Sequence, residues 1–458
     1  MNIELLLKYA EQHGLIAGLD IVLARNKLLE LFGCQLFEGE VTGNFDDLDT
    51  ILEPLLDYAC EKGLLQHNTI TCRDLFEGKI MGMLTPGQAE VVAKFQQLEQ
   101  TQGIQSATEY FYRLSSATNY IKTKRVKKNL HWRHNTEFGE LEITVNLSKP
   151  ELDPKEIAMA GAAAASNYPK CLLCVENVGF AGNMTLPARQ NHRILPITLG
   201  GEQWYWQYSP YQYYNEHCIP LCGQHRPMEI NVSTFEKLLD FLDRLPHYFV
   251  GSNAGLPIVG GSMLSHNHFQ GGRHTFPIEK AAAIKIYEFM GVTAEIIKWP
   301  MSVIRIKSQN RAQLVNAAGA ILEKWKNYED VSVDLVPYSG QTPHNAITPI
   351  ARFNSSGEYE FDLVLRNNRT SEEFPDGIFH PHPHVHHVKK ENIGLIEVMG
   401  LAILPGRLAD QVLNSPNRRD VETNIGDTFL EVLTHAGVFK ASPKGLKAFE
   451  RFIQTLYI

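Results

Sequence analysis

An α+β fold is what this 458-residue sequence predicts, on three observations. Apolar residues recur every three or four positions through the first 140 residues, the period of helices packed on one side. From about residue 140, alternating strand-like segments are interspersed with amphipathic helices. A helix, strands and a histidine-rich segment then occur in that order twice, which suggests a duplicated unit. The expected organisation is a mostly helical region at 1–140, followed by two α+β halves at 141–300 and 301–458 with antiparallel sheets and packed helices.

In the first region "LDIVLARNKLLELFG" and "GQAEVVAKFQQLEQ" have helical spacing, and Gly33 is a natural stop. "GELEITVNLSKP" alternates as a strand and ends at Pro150. A short Ala-rich helix follows near "IAMAGAAAAS", then a turn-rich knuckle, "NYPKCLLCVENVGFAGN". "QWYWQYSPYQYY" and "EHCIPLCGQH" are expected as neighbouring strands, and "VSTFEKLLDFLDRLPHYF" as an amphipathic helix capped by Ser233 or Thr234. The last part contains a strand, "MSVIRIKS", a helix, "RAQLVNAAGAILEKWKNY", and a strand, "EYEFDLVLRNN". A second histidine-rich strand, "HPHPHVHHV", leads to a helix near "NIGLIEVMG".

Bulk properties exclude several classes. The net charge of −8 argues against general nucleic-acid or anionic-membrane binding. The start lacks the basic region and cleavage site of a signal peptide, and the most apolar stretch is too short for a bilayer. Seven sparse cysteines point to reduced thiols and a cytoplasmic location. Cys171 and Cys174, in a Cys-x-x-Cys turn, are therefore a metal or redox candidate.

The stretch "GGSMLSHNHFQGG", Gly260–Gly272, carries most of the chemistry. On a strand, alternate residues share a face, which groups His266, His268 and Gln270. Three polar side chains on one face between glycine pairs make a poor core. The bland reading is a set of partly buried, hydrogen-bonded histidines. The chemical reading is a neutral imidazole attacking phosphorus, one ring nitrogen held by a backbone carbonyl and the other free. Gln270 donates to a phosphoryl oxygen without titrating, and Gly271 and Gly272 let backbone approach a ligand. Lys149, Arg366 and Arg369 are further candidates for phosphate, as is the basic run Lys122, Lys124, Arg125, Lys127, Lys128, which is otherwise a solvated face. The aromatic set at 203–214 suits either uracil stacking or the core.

"SHNHFQGG" resembles the His-x-His-x-Gln signature of the nucleotidyl-transferring branch of the histidine-triad superfamily. Together with "YPKCLLCVENVGFAGN" and "FPDGIFHPHPHVHHVKKENIGLIEVMGLAILPGRL", it resembles the galactose-1-phosphate uridylyltransferase family over nearly the whole chain. The long helical start resembles its second, bacterial type. The resemblance implies two histidine-triad-like halves, a homodimer, and ping-pong transfer of UMP from UDP-glucose to galactose 1-phosphate through a uridylyl-histidine, giving UDP-galactose and glucose 1-phosphate. It implies His268 as nucleophile, His266 orienting it through its carbonyl, Gln270 on the phosphoryl oxygens and Asn253 near the transferred phosphate. Asn267 stands where the better-known type has proline. A zinc site would join Cys171 and Cys174 to His225 and His266, with His217, Cys218 and Cys222 as competitors. A second metal, iron, would take His344, His382 and His384, with Glu279 the nearest carboxylate by position. Two rival readings are a dinucleoside-polyphosphate phosphorylase and a catalytically silent metal-binding homologue.

Overall fold

A computed structural model describes residues 3–35, 47–148, 168–261 and 263–457. The Ala-rich stretch at 157–166 and Lys149 lie outside the described residues. The chain divides into two compact units: Met1–Lys127, Ser148–Pro196 and Tyr205–Gln212 form one, and Lys128–Leu147, Ile197–Trp204 and Tyr213–Ile458 the other.

The first unit is helical: α1 (Ile3–Gln12), α2 (Leu19–Phe32), α3 (Leu48–Glu61), α4 (Ile70–Gly82), α5 (Gln88–Gln102), α6 (Ile104–Ala117) and the single turn α7 (Thr123–Val126). Helix α2 stops where expected, at Gly33 in the left-handed conformation (φ +59°). Asp47 and Thr69 cap α3 and α4 by accepting from backbone N–H groups. Trp206 and Tyr208 are buried among Phe95, Phe111 and Tyr112, with ring centroids 5.2–5.9 Å apart, so this part of the aromatic set is core. The basic run is largely neutralised: Arg125 forks onto Asp74 (2.8 and 2.5 Å), Lys122 pairs with Glu77 and Lys124 with Asp49 (3.2 Å).

The second unit holds the sheets, except for the start of one strand and the end of another, Leu195–Pro196 and Tyr205–Tyr208, which fall in the first. Strands β1 (Leu130–Thr136) and β2 (Gly139–Val145) form a hairpin, and β15 (Leu401–Leu404) adds parallel to β2. A ten-stranded sheet comprises β3 (Leu195–Leu199), β4 (Glu202–Tyr208), β5 (Cys218–Cys222), β6 (Phe249–Gly251), β7 (Gln270–Gly272), β8 (Ala283–Phe289), β9 (Val292–Ile297), β10 (Val303–Ser308), β13 (Asn345–Phe353) and β14 (Tyr359–Asn367). Its order is β3-β4-β5-β7-β6-β13-β14-β10-β9-β8, and the pairs from β5 to β8 are antiparallel. The nine-residue hairpin of β13 and β14 is buried almost throughout, as central strands covered on both faces must be. Helices α8 (Val232–Arg244) and α9 (Arg311–Lys326) pack on it. A two-residue hairpin, β11 (Tyr338–Ser339) and β12 (Thr342–Pro343), stands apart. No helix among the described residues is long and apolar enough to cross a membrane.

Three local expectations need correction. The cap of α8 is Asn231, whose side chain accepts from Thr234 N–H while Thr234 Oγ1 accepts from Asn231 N–H. The first histidine-rich segment is a named strand only at Gln270–Gly272, with a single bridge from His268 to Leu221 before it. The second is no strand: Pro383–Val385 is a 3-10 turn. Pro381 and Pro383 have no N–H to give a ladder.

Candidate active site

The 266–270 segment is sewn to its neighbour through its odd-numbered residues. Asn267 N–H donates to Arg226 O (2.7 Å), Cys222 N–H to Asn267 O (2.9 Å) and Phe269 N–H to Pro220 O (2.8 Å). The Phe269 ring stacks on the buried Trp204, centroids 4.7 Å apart and 13° from parallel. His266 and His268 are buried, at 1% and 6% exposure.

His268 Nδ1 lies 2.8 Å from the carbonyl oxygen of His266. A carbonyl only accepts, so Nδ1 carries the proton and Nε2 the lone pair. Among the described residues nothing hydrogen-bonds to Nε2. Burial pushes the imidazole down to about 4; the bond to the His266 carbonyl opposes the shift and the His266 ring adds to it. The ring is therefore neutral at pH 7. His266 is fixed in turn, its Nε2 donating to Cys222 O at 2.8 Å.

Gln270 Oε1 accepts from His217 Nε2 at 3.2 Å, and the His217 ring packs against Tyr214, centroids 4.4 Å apart. Among the described residues nothing accepts from the Gln270 NH2, which leaves two donors for a ligand. The sequence reading missed this partnership, because His217 and Gln270 are separated by 53 residues and meet only through strand pairing. Gly271 and Gly272 serve packing rather than an open ligand surface. A Cβ at Gly271 would come 2.7 Å from Phe249 O, and one at Gly272, where φ is +151°, 2.7 Å from Glu216 O. Asn253 is buried and its Oδ1 accepts from Leu395 N–H at 2.8 Å.

Cys171 and Cys174 of the first unit pair two thiols, and in the second unit the rings of His225 and His266 pack edge to face with centroids 5.1 Å apart; all four are residue types compatible with a metal ion. The two sulfurs are 3.5 Å apart. Zinc–thiolate bonds near 2.3 Å at a tetrahedral angle require about 3.8 Å, so the two thiols fit one ion. Of the competitors, His217 pairs with Gln270, and Cys218 and Cys222 are buried outside the group.

The expected second metal set does not assemble among the described residues. His344 is tied at both nitrogens, Nδ1 to Asn368 Oδ1 (2.8 Å) and Nε2 to Ser339 Oγ (2.7 Å). Glu279 accepts from Phe276 N–H (2.7 Å) and faces Arg352 (3.7 Å), beside a buried network in which Asp362 holds Arg305 and Arg352. His384 groups instead with Glu431 and His435, and the His382 ring stacks on His435. Of the two arginines, Arg366 is 1% exposed and donates to Ile393 O (2.9 Å), its pKa pulled down to about 10 by burial. Arg369 donates to Asp334 O (2.8 Å). Both therefore use donors internally instead of presenting an open fork.

An α+β chain with a buried neutral imidazole, a carbonyl behind it and a carboxamide two residues on has the parts that nucleotidyl transfer through a histidine requires. Family models for galactose-1-phosphate uridyl transferase match here, the N-terminal domain at residues 15–227 and the C-terminal domain at 241–420. The chain belongs to the galactose-1-phosphate uridylyltransferase family. A protein of that name from Caldanaerobacter subterraneus subsp. tengcongensis is 52% identical over 99% of this chain and 97% of its own. Those from Halalkalibacterium halodurans (49%; 100% and 98%) and Bacillus subtilis (46%; 99% and 97%) are similar over the same extent. Among solved structures, yeast Ap4A phosphorylase Apa2 in complex with Ap4A is 9% identical, covering 72% of this chain and 96% of its own at a TM-score of 0.40. That likeness is too loose to carry an argument.

Proposed function

We propose that the protein transfers UMP from UDP-glucose to galactose 1-phosphate by a double displacement at His268. Nε2 of His268 attacks the α-phosphorus; an N–P bond forms, the pyrophosphate P–O bond breaks, and glucose 1-phosphate leaves with the electron pair. A phosphate oxygen of galactose 1-phosphate then attacks the uridylyl-histidine, releasing UDP-galactose and restoring the neutral ring. One observation carries this reading: the ring is held at Nδ1 by a carbonyl, so its lone pair is presented at Nε2. Gln270 donates its NH2 to a phosphoryl oxygen. It cannot protonate a leaving group or activate water, which favours an intermediate that waits for a sugar phosphate.

The resemblance supports a zinc ion held by Cys171, Cys174, His225 and His266, since two thiolates and two imidazoles suit that metal. Its role is structural: it anchors His266, whose carbonyl orients His268. Asn253 and Arg366 act as positioning residues, holding the backbone at Leu395 and Ile393. The resemblance also supports a cytoplasmic homodimer and a division of the chain near residues 140 and 300.

The test is intact-mass spectrometry after brief exposure to UDP-glucose alone. One added UMP is expected, lost on adding galactose 1-phosphate and absent in His268→Ala. No adduct, or one that persists in His268→Ala, overturns the assignment. Diadenosine tetraphosphate in place of UDP-glucose is expected to give none.

A further inference from the structure

In the first unit a cavity of about 80 Å³ is walled by Arg189, Lys122, Arg125, Asp74, Tyr120 and Asn191, among others. On the scale where one water needs roughly 10–15 Å³, that is room for a few waters or one tetrahedral oxyanion. Three of these residues are cations and one is a carboxylate. Two of the cations are already answered: Arg125 forks onto Asp74, and Lys122 pairs with Glu77.

Arg189 is different. It is only 8% exposed, and its guanidinium lies over the Tyr120 ring, 5.2 Å from the centroid. Tyr120 is itself pinned by His192, stacked at 4.4 Å. Among the described residues no carboxylate, carbonyl or hydroxyl accepts from the guanidinium. Buried charges are ordinarily paired, because taking a charge out of water costs more than a lone aromatic face returns. An Arg packed over a ring on the wall of a small cavity, its guanidinium donors unclaimed by the described residues, is a preformed fork for oxyanions.

We infer that this cavity is a binding site for a phosphate group, received by the Arg189 guanidinium with Lys122 and Arg125 on the wall. A phosphate suits it better than a carboxylate, since three cationic side chains line the wall and a tetrahedral oxyanion can accept from more than one of them at once, while the one charge left unanswered is that of Arg189. The phosphate comes from inorganic phosphate or from a small phosphate monoester. The cavity shares no residue with the site described around His268, and its occupancy is tested without that reaction.

The experiment uses the full chain carrying His268→Ala, so that no turnover interferes, with and without Arg189→Gln. Inorganic phosphate and glucose 1-phosphate are titrated calorimetrically, and crystals are soaked in selenate. Expected are a selenium anomalous peak within hydrogen-bond distance of the Arg189 guanidinium and a Kd for phosphate at least tenfold weaker in Arg189→Gln, the size of one lost charge-assisted hydrogen bond. If only glucose 1-phosphate shows that dependence, the monoester is the source; if both do, the bare group is enough. No selenium peak beside Arg189, or equal affinities with and without Arg189→Gln for both ligands, overturns the site. Should Arg189→Gln not fold, Arg189→Lys keeps the charge and removes the fork; a several-fold weakening is expected, and unchanged affinity overturns the site.

Discussion

The depressed pKa of His268 makes the first half-reaction nearly blind to pH where an ordinary histidine would switch off. A free imidazole titrates near 6.5 and would be only about 3% neutral at pH 5. With its pKa at about 4, the buried ring of His268 is still roughly 90% neutral there. The ratio is about 30-fold in available nucleophile. UDP-glucose adds no titration in this range, because a pyrophosphate diester keeps both charges throughout it. The assay is rapid-quench formation of uridylyl-enzyme from UDP-glucose under single turnover, from pH 4.5 to 8. A rate that stays within about twofold from pH 7.5 to 5 is expected, falling only as pH approaches 4. A tenfold fall between pH 7.5 and 5.5 with a midpoint near 6.5 would refute the reasoning, since it would mean a solvated ring. Stability has the opposite signature. The unfolded chain takes up a proton at this residue below about 6.5 and the folded chain only near 4. This contribution is therefore fully present above 6.5 and is lost progressively as pH falls from 6.5 to 4, by about 3 kcal/mol in all.

Two further outcomes are expected. Cys171→Ser removes one of the four ligands proposed for zinc; zinc retained after dialysis, measured by atomic emission, should fall from one per chain to well under half, and full retention would count against the proposed four-ligand set. Gly271→Ala forces a methyl group to within 2.7 Å of Phe249 O in the middle of the sheet, so urea denaturation should show a loss of about 1–3 kcal/mol; an unchanged midpoint would show that the strand shifts freely.

The helices of the first region were legible because their apolar spacing and stop signals are local: Gly33 ends α2 just where its conformation requires glycine. The same holds for strands such as β10 and β14. The alternation of His266, His268 and Gln270 identified the site although most of that segment is not a regular ladder, because side-chain alternation needs only a locally extended backbone. The "HPHPH" run misled in the other direction. Its histidines alternate as on a strand, but the prolines between them, visible in the sequence, exclude a ladder and bend the run into a turn. What spacing could not reveal was long-range pairing. That His217 would meet Gln270, and that His384 would find Glu431 and His435 instead of His344, depends on which strands and helices become neighbours.

The stacking of Phe269 on Trp204 reaches beyond stability. Sliding the segment by one position would swap a large apolar ring for an imidazole in a dry interior, an exchange the core would strongly resist. The aim of the reacting nitrogen is thus inherited from an aromatic sandwich on the far side of the backbone. Trimming Trp204 would misalign the chemistry while leaving every polar participant in place.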